Sequence, residues 1–429
     1  MTPSSSREPK GSHIGVQNVP SASGRAKAQL LLLAAALIGS ALLWLSDWVV
    51  PPAQAAFPGH GERFAAMAQE PFALTGDFPQ RKLWPVLAWL FSFVGVSAPV
   101  FTQICSGALL TVICRFARVR TGRWDAAVLV TAAMAASGAV LVYKPMACFS
   151  DTLNLLLLVL LVQHAARPAV FWPLVFLSAL SHELVFFFAP WLVYVRCRNG
   201  GLWWREGLLL VVVLAAYLAF RAPMAGSYGI AYYFDKNFWV PWLLPALWSL
   251  WLLVVVVEFG PLLLLAGFGL GRNGALAERQ ALGGRWGLLL YLGGLLPLMV
   301  LAYDVMRFAT FAFLPVLLGG VALARSALGR LLLLGLTAAA VVLYSQFTHP
   351  NPMEQGGRHF TAVAADVFGQ IVPRITGPGP FPFGESVAVT SAMFGSWWGV
   401  FAAVVAALVA AVVGGRLLAR WCGSQTPRT

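Results

Sequence analysis

Apolar residues run along this chain in long unbroken stretches, and the polar positions between them fall into short clusters. The stretches lie at 29–50, 84–118, 126–143, 152–166, 168–196, 206–221, 239–269, 286–303, 306–325, 331–347 and 393–418. Most reach or exceed the roughly 18 residues that a helix needs to cross a bilayer core of about 30 Å. The pattern predicts an all-α fold, a polytopic helical membrane protein with about 10–12 transmembrane helices. Residues 1–27 are polar and read as a disordered cytoplasmic tail, 28–420 as one transmembrane domain with long outer loops at 51–82 and 348–392, and 421–429 as a second cytoplasmic tail. The first stretch is too long for a signal-peptide core and has no convincing small-residue cleavage site before its end, so it reads as a retained span.

Two stretches carry internal breaks. The run 84–118 is long enough for a half-helix ahead of Val96-Ser97-Ala98-Pro99. In 168–196 the apolar run is interrupted by Ser181-His182-Glu183; as one span it would put Arg196, Arg198 and Arg205 opposite the other basic loops, and as a hairpin it returns them to the same side. With the hairpin, 20 of the 29 basic residues fall in cytoplasmic segments and both termini lie inside, which is the distribution expected of a multi-pass inner-membrane protein.

Composition agrees: 59% of the 429 residues are hydrophobic and 10% are charged, against about 25% charged in soluble domains. A net charge of +13 would suit nucleic acid only if the basic residues shared a face, and here they are scattered through short loops, so no nucleic-acid partner is expected. Five cysteines without CxxC spacing signal neither a disulfide framework nor a zinc site. No GxxxxGK[ST], HExxH or GxSxG motif occurs, and no metal or cofactor is predicted.

Once the chain is oriented, 11 of the 16 acids lie at or beyond the outer boundary, together with His60, His182, His349 and His359, and this implies a polar cavity opening outward. Three clusters stand out. In the first outer loop, residues 60–70 have the apolar spacing of an interfacial helix (Phe64, Met67, Ala68). That loop reads either as an amphipathic surface helix with solvated charges or as a site in which Glu62 or Asp77 does acid/base work while Arg81 and Lys82 meet an anion. His182-Glu183 is either a hydrogen-bonded hairpin tip or part of a pocket. Asp304 and Arg307, three residues apart, form either a structural ion pair or a substrate site.

The layout resembles bacterial membrane glycosyltransferases of the GT-C type. The likeness rests on Arg63-Phe64-x-x-Met67-Ala68-x-x-Pro71-Phe72, then Phe78-Pro79-x-Arg81-x-Leu83-x-Pro85-x-Leu87-Ala88, on His182-Glu183, and on Asp304-x-x-Arg307-Phe308 ahead of an apolar span. It implies a transferase at the outer side of the cytoplasmic membrane that takes a sugar from a polyprenyl-phosphate carrier, itself a membrane lipid, and gives it to a glycan, lipid or protein hydroxyl. The family's acid usually follows the first span; here His60-Gly61-Glu62 holds the position before Arg63-Phe64, with Asp47 earlier and Asp77 later. Glu62 and Asp77 are therefore the candidate bases, Arg81, Lys82 and Arg307 the candidate phosphate ligands, and His182, Glu183 and Asp304 the groups shaping the pocket. A transporter or flippase of lipid-linked or anionic cargo, a surface-polysaccharide polymerase or ligase, and a non-catalytic relative are the competing classes.

Overall fold

The computed structural model describes residues 22–57, 60–76, 78–226, 255–256, 258–270, 282–301, 305–347 and 397–424. Asp77, Asp304, Asp235-Lys236 and the outer loop 348–392 lie outside them. The described chain is almost wholly helical; its strands are the two-residue pieces Thr75–Gly76 and Ala225–Gly226, paired in parallel so that the first loop is tied to the end of a distant helix.

Helix α1 (Ala22–Ser46) lies along α4 (Ala98–Thr121). Gly39 makes that approach possible, because a Cβ there would stand 2.8 Å from the Thr111 backbone nitrogen. Between them in sequence come the short loop helix α2 (His60–Met67) and the half-helix α3 (Leu83–Ser92). The long run 84–118 is thus split as Pro99 requires, since a proline is accommodated in the first turn of a helix and not in its interior. At its far end α4 stops on Gly122 in a left-handed conformation whose N–H returns to the Arg118 carbonyl. Helix α4 then packs on α5 (Trp124–Ala135) and, after the short α6 (Gly138–Leu141), on α7 (Asp151–Gln163).

The segment 168–196 doubles back. Helix α8 (Pro168–Ser181) ends at His182, whose backbone is extended; a 3-10 turn follows at Glu183–Phe188, and α9 (Ala189–Arg198) returns. Its two ends meet at the start of α10 (Trp203–Arg221). There the Glu206 carboxylate accepts from Trp172 Nε1 at 2.8 Å and from Arg196 Nε and Nη2 at 3.1 and 3.0 Å, and Arg196 also donates to the Ala165 carbonyl. Arg196, counted in sequence as a loop charge, is therefore buried and neutralised.

Farther along, α11 (Leu263–Leu270) is followed by α12 (Gly284–Leu301), α13 (Val305–Ala309), α14 (Phe313–Leu323), α15 (Ala327–Phe347) and α16 (Trp397–Ser424). Helix α11 is held between α14 and α16. Most of these helices share one apolar core that includes Leu109, Ile113, Val130, Leu158, Trp191, Tyr291, Phe313 and Val321. A second, smaller core lies under the first loop: Phe64, Ala68, Phe78, Trp84, Ala88, Phe101, Cys105, Ala147 and Leu153. The apolar face of α2 is consequently buried against protein, where the sequence spacing suggested a helix lying on the membrane interface.

Among the described residues three helices are long and apolar enough to cross a membrane: Ala26–Ser46, Ala98–Thr121 and Trp203–Arg221. On the first and last of these Leu30, Leu37, Leu208 and Val211 are exposed, as are Trp44 and Trp48 at the end of α1 and Trp203 and Trp204 at the start of α10. Water-soluble monomers rarely present continuous apolar surface of this kind.

Candidate functional site

The polar side chains buried at one end of the bundle are carried by the segments that break or join helices. Arg81 sits one residue before the Lys82 cap of α3, in a turn closed by its own N–H on the Phe78 carbonyl at 3.0 Å. Its guanidinium forms a two-bond fork with Glu183, Nε to Oε2 at 3.0 Å and Nη2 to Oε1 at 2.8 Å, and stacks over the Phe78 ring at 4.5 Å. Arg81 and Glu183 were separate candidates in the sequence; here each is the other's partner. Burial by itself would push the Glu183 carboxyl up, but Arg81 and His182 outweigh it and hold the carboxyl below its usual range. His182 packs edge-on to Phe308, at 6.1 Å between ring centres, and its Nδ1 accepts from the Leu184 N–H at 3.4 Å. The Lys82 ammonium donates to the Ala73 carbonyl, and burial lowers its pKa from the ordinary lysine value.

Arg307 is the second guanidinium buried at this end. Its Nε donates to Asp151 Oδ2 at 2.7 Å and Nη2 lies 2.6 Å from the same oxygen. Asp304, which the sequence spacing offered either as its ion-pair partner or as part of a substrate site with it, falls outside the described residues; among the described residues a carboxylate bonded to Arg307 comes from the first turn of α7, 156 positions away. The charge also lies 4.2 Å from the centre of the Phe149 ring. Tyr143 fixes the backbone beneath it, its hydroxyl 3.1 Å from the Arg307 carbonyl and 2.8 Å from Thr310 Oγ1.

An aromatic column joins the two arginines. Arg81 lies over Phe78, Phe78 stacks on Phe64 at 5.7 Å, Phe64 meets Phe149 at 6.4 Å, and Phe149 lies under Arg307. The first loop is pinned in this arrangement by the 144–148 turn. Ala53 and Phe57 N–H groups bond the Lys144 and Ala147 carbonyls at 2.9 and 3.3 Å. Gly61 comes so close that a Cβ would lie 2.6 Å from the Ala147 oxygen. Lys144, fully buried, pairs with Asp47 at the end of α1.

Around these ion pairs several buried polar atoms make no hydrogen bond to the described protein: Asn154 Oδ1 and Nδ2, the Ser150, Thr152 and Ser181 hydroxyls, Gln80 Nε2 and Trp84 Nε1. The short connection between α7 and α8 makes them antiparallel neighbours, which brings the first turn of α7 beside the last turn of α8. Ser150, Asp151 and Thr152 therefore face the level of Ser181, His182 and Glu183. Buried donors and acceptors left in this state need partners to offset the cost of their desolvation.

Glu62 is exposed, on the side of α2 away from Phe64. Asp77 lies outside the described residues. The structure thus gathers Arg81, Lys82, His182, Glu183 and Arg307 at one end of the bundle and leaves Glu62 at its surface. Sequence reasoning did not place Asp47, Lys144, Asp151, Asn154 or Ser181 among the candidate site residues. For Asp151 the readable signal was an acid standing directly ahead of a long apolar helix, where the helix dipole favours it. Among the described residues no group of three or more His, Cys, Asp or Glu side chains converges as a metal site. Comparison with protein-family models, with curated proteins and with solved structures finds no match to this chain.

Proposed function

We propose that the chain is a polytopic membrane protein of about 10–12 crossings and a GT-C-type glycosyltransferase. In this reading it moves a sugar from a polyprenyl-phosphate donor to a glycan, lipid or protein hydroxyl at the outer face of a bacterial cytoplasmic membrane, with both termini cytoplasmic. The membrane part is supported by the exposed leucine, valine and tryptophan surfaces and by the spacing of polar layers along α4. Thr102, bonded to the Cys148 N–H, lies at the level of the buried ion pairs, and Arg120 lies 18 residues on. At 1.5 Å per residue this separates the layers by about 27 Å, close to the thickness of a hydrocarbon core.

The observation that carries the transferase part is the buried cluster itself. Two guanidiniums, two carboxylates and a set of hydroxyl and carboxamide groups needing partners stand together in an otherwise apolar helical domain. A sugar phosphate offers what such a cluster takes up, namely hydroxyls for Asn154, Ser150 and Ser181 and an anion for Arg81 or Arg307. Because both arginines already hold carboxylates, the donor phosphate enters by exchange and takes the guanidinium from Glu183 or Asp151. The acceptor hydroxyl gives its proton to a loop acid, Glu62 or Asp77, while its oxygen bonds to the anomeric carbon and the bond from that carbon to the phosphate oxygen breaks. The charge left on the departing phosphate falls to the arginine, and its stabilisation is the largest contribution to the rate.

The test is mass spectrometry of surface glycans and lipid-linked intermediates in a deletion strain. A lipid-linked sugar should accumulate and one glycan feature should disappear. Wild type should restore both, and Arg81→Ala or Arg307→Ala should restore neither at equal membrane abundance. An unchanged glycan and lipid profile in the deletion strain refutes the proposal. A second reading, transport or flipping of lipid-linked cargo, draws on the helix breaks at 93–97 and at His182, since interrupted helices build many transporter sites. Proteoliposomes separate the two, because a flippase moves the carrier lipid without consuming it.

A further inference from the structure

The corner between α7 and α8, remote from the ion pairs, holds cations without an acid. Gln163, the last residue of α7, donates from Nε2 to the Val112 carbonyl of α4 at 3.4 Å and accepts from Arg115 Nη1 at 3.2 Å. That is the side-chain bond that places Arg115, and its Nε and Nη2 stay available among the described residues. His164 caps α7, and both Arg167 and Arg115 lie close enough for their charges to act on it. Arg167 follows in the turn, its N–H on the His164 carbonyl at 2.8 Å, and its exposed guanidinium makes no hydrogen bond or ion pair among the described residues. Other arginines toward this end are matched, Arg196 by Glu206 and both Arg123 and Arg330 by Asp125. At the corner no described carboxylate is paired with Arg115 or Arg167, and like charges brought together by folding repel.

Depth and surroundings say what would neutralise them. Gln163 bonds Val112, which lies eight residues before Arg120 on α4, so α7 ends roughly 12 Å short of the Arg120 layer. In the membrane reading the corner is therefore a notch inside the hydrocarbon boundary, where a guanidinium is costly unless water or a headgroup meets it. From Arg167 an exposed apolar strip of Val170, Pro173 and Leu177 runs along α8, at the three- and seven-residue spacing of one helix face. A soluble anion would use the cations alone, whereas a phospholipid uses cations and strip together. We infer that this notch binds the phosphate of an anionic phospholipid such as phosphatidylglycerol, with Arg115 and Arg167 on the phosphate oxygens, His164 donating beside them, and one acyl chain along Val170, Pro173 and Leu177. The Nε and Nη2 of Arg115 form the two-bond fork that suits phosphate oxygens. The inference rests on the membrane reading above and not on the transferase chemistry.

The test reconstitutes the full chain in phosphatidylcholine vesicles that hold a minority of phosphatidylglycerol with a photoreactive acyl chain, and maps the cross-linked peptides by mass spectrometry. Wild type should cross-link within residues 168–177. Unlabelled phosphatidylglycerol should compete, and neither inorganic phosphate nor added phosphatidylcholine should. Arg167→Gln breaks no side-chain bond among the described residues and should lower this labelling roughly fivefold, and Arg115→Gln/Arg167→Gln roughly tenfold or more. Arg167→Lys, which keeps the charge, should largely keep it. Labelling of the exposed face of α1 around Leu30 and Leu37 should be the same in all of these proteins. Undiminished labelling of 168–177 in Arg167→Gln and in the glutamine pair overturns the site, and so does competition by inorganic phosphate or equal competition by phosphatidylcholine. If the glutamine pair does not fold, Arg167→Gln and the competition series decide. A wild type that labels neither segment and does not float with the vesicles overturns the membrane reading together with this site; one that labels α1 and not 168–177 overturns the site alone.

Discussion

Removing the carboxylate of Asp151 is the sharpest probe of the buried cluster. Arg307 is 3% exposed and its side-chain partner Asp151 is fully buried, so Asp151→Ala leaves a guanidinium in the interior facing Phe149 and Phe308. Removing one partner of a buried ion pair in this way costs about 3–5 kcal/mol. The ring at 4.2 Å offsets part of it, on the order of 1 kcal/mol, which leaves a net loss of about 2–4 kcal/mol. Asp151→Ala/Arg307→Met removes both charges and should recover at least about half of that loss, so the pair should be strongly coupled. Unfolding in mixed micelles, followed by tryptophan fluorescence, gives the four free energies of the cycle. A single-variant loss below about 1 kcal/mol, or a double variant equal to the sum of the singles, refutes the assignment of Asp151 as the partner of Arg307. The transferase proposal adds that the double variant, although refolded, stays inactive, because the donor phosphate has lost its guanidinium.

Glu62→Gln should leave unfolding within about 0.5 kcal/mol of wild type, since the side chain is exposed, and complementation of a deletion strain then reports on chemistry alone; full activity removes Glu62 as the base. For Glu183 the folded carboxyl sits below its ordinary value of 4.5, so its contribution to stability is complete above that value and falls as pH drops below it. Glu183→Gln should flatten that acid limb in a pH series of unfolding midpoints, and an unchanged limb would show that the fork with Arg81 is not responsible. Gly61→Val has no room beside the Ala147 carbonyl and should loosen the first loop, read as faster proteolysis between residues 51 and 82; wild-type resistance would contradict the close packing. In intact cells, cysteine probes at Gly76 should label from outside and probes at Thr121 and Gly200 should not, and labelling at Gly200 would refute the proposed orientation.

The helical character of the described residues and the positions of their breaks were already determined by the sequence, because proline, glycine and paired polar residues act locally. Pro99 forces a new helix to begin, and Ser181-His182-Glu183 interrupts an apolar run that otherwise has no reason to stop. Membrane-length apolar runs were legible for the same reason, as was the need of Arg81, His182-Glu183 and Arg307 for partners, since ionisable residues beside such runs are costly unless partnered. Which group partners which was decided by tertiary structure. Arg307 meets an acid 156 residues away, Asp151, which its sequence neighbourhood does not announce, and Arg81 meets Glu183 across 102 residues. Arg196 counted as a loop charge until Glu206 closed on it, and the apolar face of α2 looked suited to lipid until Phe78 and Trp84 covered it. Helix periodicity is a property of neighbours in the chain. A buried ion pair or a covered apolar face depends on how distant helices pack, and a single sequence records that only after it has folded.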